Sequence, residues 1–160
     1  LAGELEGLPE YRQQTYISSF GEGWGLHSEY LGLEAGFYQD PYSNFGRLSY
    51  EMWRAARLVV DTGMHAMGWS RERAIEFMAN NTALSLHNVT TEIDRYITWP
   101  AQALSYKLGE LTIKRLRAEA EQQLGTDFDL REFHDAILEN GSVPLDILEA
   151  HINDWINQQR

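Results

Sequence analysis

SYEMWRAARLVVDTGMHAMGW, residues 49–69, is the stretch whose reading decides the fold. Apolar residues and good helix formers cover most of its circumference, the mark of a helix buried on nearly every side, and Gly68 closes it. Four polar side chains break the pattern: Arg54, Arg57, Asp61 and His65 recur at spacings of 3, 4 and 4. At about 100° per residue they share one sector roughly 80° wide. Two readings compete. The stripe is either a solvent face tied by ordinary i,i+4 pairs or a polar wall inside the protein. A solvent face of this length normally carries Glu, Lys and Gln. Here Asp61 can bridge Arg57 one turn back and orient His65 one turn on. An aspartate-oriented histidine beside two fixed cations has the composition of an anion- or oxyanion-binding wall.

Working outward, the punctuation gives further helices. LAGELEGL, 1–8, reads as a helix end that stops near Pro9, and a second helix runs from about Glu22 to Ala35 with Gly36 as its stop. FYQDPYSNFG, 37–46, is rich in turn formers and predicts a loop. Ser70 caps a helix over 71–79 that Asn80 and Asn81 end, and Ser85 caps another through Ile97. Pro100 fits the first turn of a long helix to about Gln123, stopped by Gly125. Asp129 with Glu132 makes a capping box for a helix ended by Gly141. Leu145, Leu148, Ile152, Trp155 and Ile156 form the stripe of a terminal helix. No stretch alternates with period two, and there is no internal repeat. The expectation is all-α, a single domain of about seven helices.

Composition agrees. The 160 residues are 43% hydrophobic, enough for one sizeable core. No apolar run approaches the roughly 18–20 residues that span a bilayer. A net charge of −11 argues against nucleic acid, and the one basic cluster, KRLR at 114–117, lies at helical spacing beside Glu119 and Glu121. With no cysteine, disulfides and thiolate metal sites are excluded. The chain starts at Leu1 without Met, which suggests a piece of a longer protein.

Two more segments carry polar residues where packing alone does not ask for them. In WPAQALSYKLGEL, 99–111, Gln102, Ser105, Tyr106 and Gly109 share one helical face. Tyr106 can donate to developing charge, and Gly109 permits close approach of a backbone or a ligand. In GEGWG, 21–25, three glycines alternate around Glu22 and Trp24, each costing roughly 1 kcal/mol against alanine in a helix. Glu22 is either a first-turn acid favoured by the helix dipole or a metal ligand, with Glu29 about 20° away around the helix as its supporting carboxylate. The glycines would let a neighbouring helix pack very close. The five histidines, His27, His65, His87, His134 and His151, include no H-x-x-x-H pair, so this chain cannot complete a metal site by itself.

Taken in order, E-G-W, D-T-G-x-H and W-P-x-Q-A-L-S-Y-K, with FHDAILENGSVPLDIL, closely resemble the C-terminal part of the bacterial family named domain of unknown function 885, from about Leu5 to Ile156. The resemblance implies a helical zinc-metallopeptidase-like protein. Residues 1–160 would then be the C-terminal helical part of a larger catalytic domain, whose upstream part carries an H-E-x-x-P-G-H-H motif. It implies that Glu22 is a zinc ligand, and that His65 (oriented by Asp61) and Tyr106 stabilise the oxyanion. Arg54 or Arg57 would either hold a substrate carboxylate or only neutralise Asp61, and Gln102 would face the peptide substrate. By itself the chain is expected to hold no zinc and to be inactive. Where the family commonly has tyrosine in E-G-W-x-x-Y-x-E, this chain has His27, about 140° around the helix from Glu22, so a packing or hydrogen-bonding role is expected for it. His87, His134 and His151 are left as structural. An exported or periplasmic location is favoured, and the competing reading is a non-catalytic helical module that keeps the fold.

Overall fold

The computed structural model describes Leu5 and residues 7–160. Among them there are eight α-helices and no strand. These are α1 (Glu10–Gln14), α2 (Ser18–Glu34), α3 (Pro41–Met67), α4 (Arg71–Asn81), α5 (Leu86–Thr98), α6 (Ser105–Leu124), α7 (Leu130–Leu138) and α8 (Leu145–Gln158), with short 3-10 turns at Gln102–Leu104 and Gly125–Asp127. The all-α expectation holds. Most of LAGELEGL lies outside the described residues, and Leu5, Gly7 and Leu8 are not helical.

The caps explain most boundaries. Ser70 accepts from Arg73 N–H, Ser85 from Asn88 N–H, and Asp129 from Arg131 and Glu132 N–H, each satisfying donors that a helix start leaves bare. The expected loop over 37–46 is a correction. Asp40 accepts from the N–H groups of Tyr42 and Ser43 with Pro41 in the first turn, so α3 begins there and runs for 27 residues. The helix expected from Pro100 is a second correction. Ala101 turns left-handed, with φ 67°, and α6 starts only at Ser105.

The helices form two compact units, Leu1–Trp24 with Leu108–Arg160, and Gly25–Lys107. The first has a core of Phe20, Ile113, Leu116, Phe133, Ile137, Leu148, Ile152 and Ile156. Each such side chain contributes about 1.5–3 kcal/mol on burial. Its glycines give close packing, but the partner expected in a helix ahead of residue 1 is, for Gly23, the α6 backbone of this chain. A Cβ on Gly23 would stand 2.4 Å from Gly109 Cα, and one on Gly109 would stand 1.9 Å from the Ser19 carbonyl oxygen. Gly109 therefore admits a backbone. Gly21 carries the Tyr16 ring against it, and Gly25 has nothing within 4 Å. The cations of KRLR are all paired with acids, Lys114 with Glu110, Arg115 with Glu119 and Glu149, and Arg117 with Glu121.

In the second unit, α3 packs with α4, α5 and the 3-10 turn around Ala56, Val60, Ala74, Met78, Val89, Ile93, Tyr96 and Ala103. Gly63 of D-T-G lies under the Trp69 indole, which a Cβ would approach to 2.5 Å. Among the described residues no helix is long and apolar enough to cross a membrane.

Candidate functional site

The α3 stripe belongs to the Gly25–Lys107 unit, and the inner part of it is buried. Arg57 is only 3% exposed. Its Nε donates to the Tyr96 hydroxyl at 2.6 Å and its Nη2 to Glu92 at 3.0 Å. Tyr96 in turn donates to Glu92 at 2.7 Å and accepts from the Trp53 indole N–H at 3.0 Å. Arg95 adds a second cation to Glu92 at 2.7 Å. Burial works against the Arg57 charge, but Tyr96, Tyr106 and Glu92 outweigh it and hold the guanidinium above its ordinary value. Burial likewise pushes Glu92 up, and its hydrogen bonds from Arg95, Tyr96 and Arg57 bring it below the usual carboxylate range. The expected bridge from Asp61 to Arg57 is thus replaced by Glu92, a residue on α5 that the α3 pattern alone could not name.

Asp61 does something else. Its Oδ1 accepts the backbone N–H of Ala101 at 3.2 Å, fixing the one non-glycine residue with positive φ among the described residues. Its Oδ2 is buried with no hydrogen bond and lies 4.0 Å from His65 Nε2. Burial pushes the Asp61 carboxyl up, against the pull of the Ala101 N–H, His65 and Arg57. His65 Nε2 is closer to the Tyr96 carbonyl oxygen, at 3.0 Å, so that contact sets the ring more than Asp61 does.

Arg54, one turn before Arg57, is half-buried between the rings of Tyr50, Trp53 and Tyr106, 4.6, 4.9 and 5.4 Å from its Cζ. Tyr106 also stacks on Arg57 at 4.7 Å. The structure therefore brings Arg54, Arg57 and Tyr106 together. His65, eight residues beyond Arg57, lies about 12 Å further along the helix axis. Among the described residues Arg54 has no acid at ion-pair distance. Its Nη1 makes one long contact to the Tyr50 carbonyl, 3.4 Å, and its Nε is buried with no partner. Burial lowers its affinity for the proton, while the Glu29 carboxylate supports the charge and Arg57 opposes it.

Gln102 is half-buried in the 3-10 turn and Ser105 is buried at the start of α6. Gly109 belongs to the other unit, where it meets the Ser19 and Gly23 backbone. Glu22 is half-buried on the part of α2 that belongs to the other unit. His27 is fully buried, His134 packs edge-on against Trp24 at 5.3 Å, His151 lies 2.7 Å from Glu139, and His87 is exposed. A zinc site needs at least three protein donors. Among the described residues no group of three His, Cys, Asp or Glu is placed to hold a metal ion. By themselves they do not fit a zinc centre.

An all-helical protein with a strained turn pinned against a buried polar stripe is the class these features define. The chain belongs to the family described as bacterial protein of unknown function (DUF885), whose model matches residues 1–152. No curated protein matches the chain. A solved structure described as "the putative lipoprotein from Colwellia psychrerythraea" is 45% identical, with a TM-score of 0.95 over 98% of this chain. The chain spans only 27% of the length of that relative.

Proposed function

We propose that this chain is the C-terminal helical part of a zinc-dependent peptide hydrolase, with α3 and residues 99–106 as a wall facing the substrate. The observation that carries the reading is the Asp61–Ala101 hydrogen bond. It joins the D-T-G-x-H and W-P-x-Q-A-L-S-Y-K segments and holds Ala101 at φ 67°. A left-handed non-glycine residue costs roughly 1–2 kcal/mol. Such strain is kept where the surroundings over-determine it, and it concentrates at functional sites. Gln102 and Tyr106 follow directly on that turn.

In this reading each side chain has a stated task. The Tyr106 hydroxyl donates to the oxyanion that forms when the peptide carbonyl is attacked, as a preorganised donor, while the His65 imidazole, about 12 Å further along α3, donates to a more distant carbonyl of the same peptide. Asp61 is a positioning residue that fixes the turn before Tyr106. Gln102 hydrogen-bonds the peptide backbone. Arg57, hydrogen-bonded to Glu92 and Tyr96, keeps the Tyr106 ring in place. Glu22 supplies one metal ligand, and the other ligands come from outside these 160 residues. The lipoprotein description of the solved relative supports an exported location.

The test is zinc content and peptide cleavage by the full-length protein. The wild type is expected to carry about one zinc per chain, as a catalytic site does, and to cleave an unstructured peptide. Glu22→Gln is expected to lose most of both. Unchanged metal occupancy in Glu22→Gln removes that residue from the metal. A full-length protein without zinc or cleavage supports the non-catalytic module instead.

A further inference from the structure

We propose that Arg54 receives the free C-terminal carboxylate of a peptide, so that the parent protein acts near peptide C-termini. The inference rests on the peptide-hydrolase reading and names its substrate class. Arg54 and Arg57 sit three residues apart on α3 and share the Trp53 and Tyr106 rings. Their partners differ completely. Arg57 spends its donors on Tyr96 and Glu92, whereas the buried Nε of Arg54 donates to nothing. A guanidinium is a planar fork whose best complement is a bidentate carboxylate or phosphate. With rings packed around it, such a ligand approaches along the edge of that fork.

Glu29 separates the two kinds of anion. Its charge reaches Arg54, yet the pair makes no salt bridge, and Glu29 Oε2 is itself buried without a hydrogen bond. Among the described residues, Arg54 Nε thus lacks an acceptor and Glu29 Oε2 lacks a donor, in the same unit. The last residue of a peptide offers both complements a few atoms apart, its carboxylate for Arg54 and its own amide N–H for Glu29. A phosphate offers no such N–H, and its larger negative charge is repelled by Glu29 more strongly than the single charge of a carboxylate. Tyr50, Trp53 and Tyr106 add apolar walls suited to the terminal side chain.

The experiment compares one peptide as free acid and as C-terminal amide on the full-length protein. In the wild type kcat/KM is expected to favour the free acid by at least about thirtyfold. Arg54→Gln should raise KM for the free acid by about tenfold or more, keep kcat within about threefold, and cost the amide much less than the free acid. Equal wild-type rates on the two peptides, or an equal loss on both in Arg54→Gln, overturn the proposal. Should Arg54→Gln fail to fold, Arg54→Lys, which keeps the charge and loses the fork, decides by the same comparison. Calorimetry with N-acetyl-alanyl-alanine separates this inference from the hydrolase reading. Binding to wild type and not to Arg54→Gln supports the carboxylate site even if nothing is cleaved. No binding to the wild type overturns it.

Discussion

Asp61 and Glu92 are two acids serving one helix, and their environments push them in opposite directions. Asp61 is buried with one oxygen unsatisfied, which raises its folded pKa. Its ionised form therefore works against folding, and the stability it gives is full below the unfolded value near 3.8 and lost as pH rises through the folded value. Glu92 is held below its ordinary 4.5, so its stabilisation is present above that value and lost as pH falls through the folded one. Asp61→Asn keeps the Oδ1 acceptor for Ala101. Urea denaturation should show it gaining on the wild type between pH 4 and pH 7. Glu92→Gln leaves the Arg57 cation buried without its acid. Since Glu92 is 20% exposed, the loss should be about 2–3 kcal/mol at pH 7, somewhat under the value for a fully buried pair. A pH-independent difference in the Asp61 series would contradict the desolvated carboxylate.

The helices themselves test the glycine argument. Gly109→Ala sets a Cβ 1.9 Å from a carbonyl oxygen, and Gly23→Ala sets one 2.4 Å from a backbone carbon. Neither atom is the flexible end of a side chain, so each change is expected to lose on the order of 3 kcal/mol or more. Gly25→Ala meets nothing within 4 Å and should gain about 1 kcal/mol from helix propensity alone. Equal denaturation midpoints for the three variants would refute the crossing of α2 and α6. At this scale much was legible in the sequence. Ser70, Ser85 and Asp129 cap where their residue types say they should, and Gly36, Gly68, Gly125 and Gly141 turn the chain with positive φ. The misses have local causes. Asp40–Pro41 is itself a cap followed by a first-turn proline, and the turn composition around it hid that signal. The break after Pro100 was not legible, because a side chain 40 residues away takes the Ala101 N–H. Arg54 and Arg57 could be read as one stripe from periodicity, whereas Tyr106 beside them could not. The partner that distinguishes the arginines, Glu92, could not, since which acid a cation meets is set by helix packing.

Across the whole molecule, the chain spans 27% of its solved relative's length and carries a net charge of −11 without cysteine. The account expects the 160 residues alone to cleave no peptide, and the full-length protein to do so. Cleavage by the short chain would mean that the metal ligands assigned elsewhere are not needed. The wall built by α3 and residues 99–106 is proposed to stabilise the charge that forms during peptide hydrolysis. Steady-state kinetics of the full-length protein, wild type against Tyr106→Phe, should show kcat lower by about a hundredfold in the variant, the loss typical of one oxyanion donor. KM should stay within about twofold, because the ring that packs on Arg57 remains. An unchanged kcat would contradict the account.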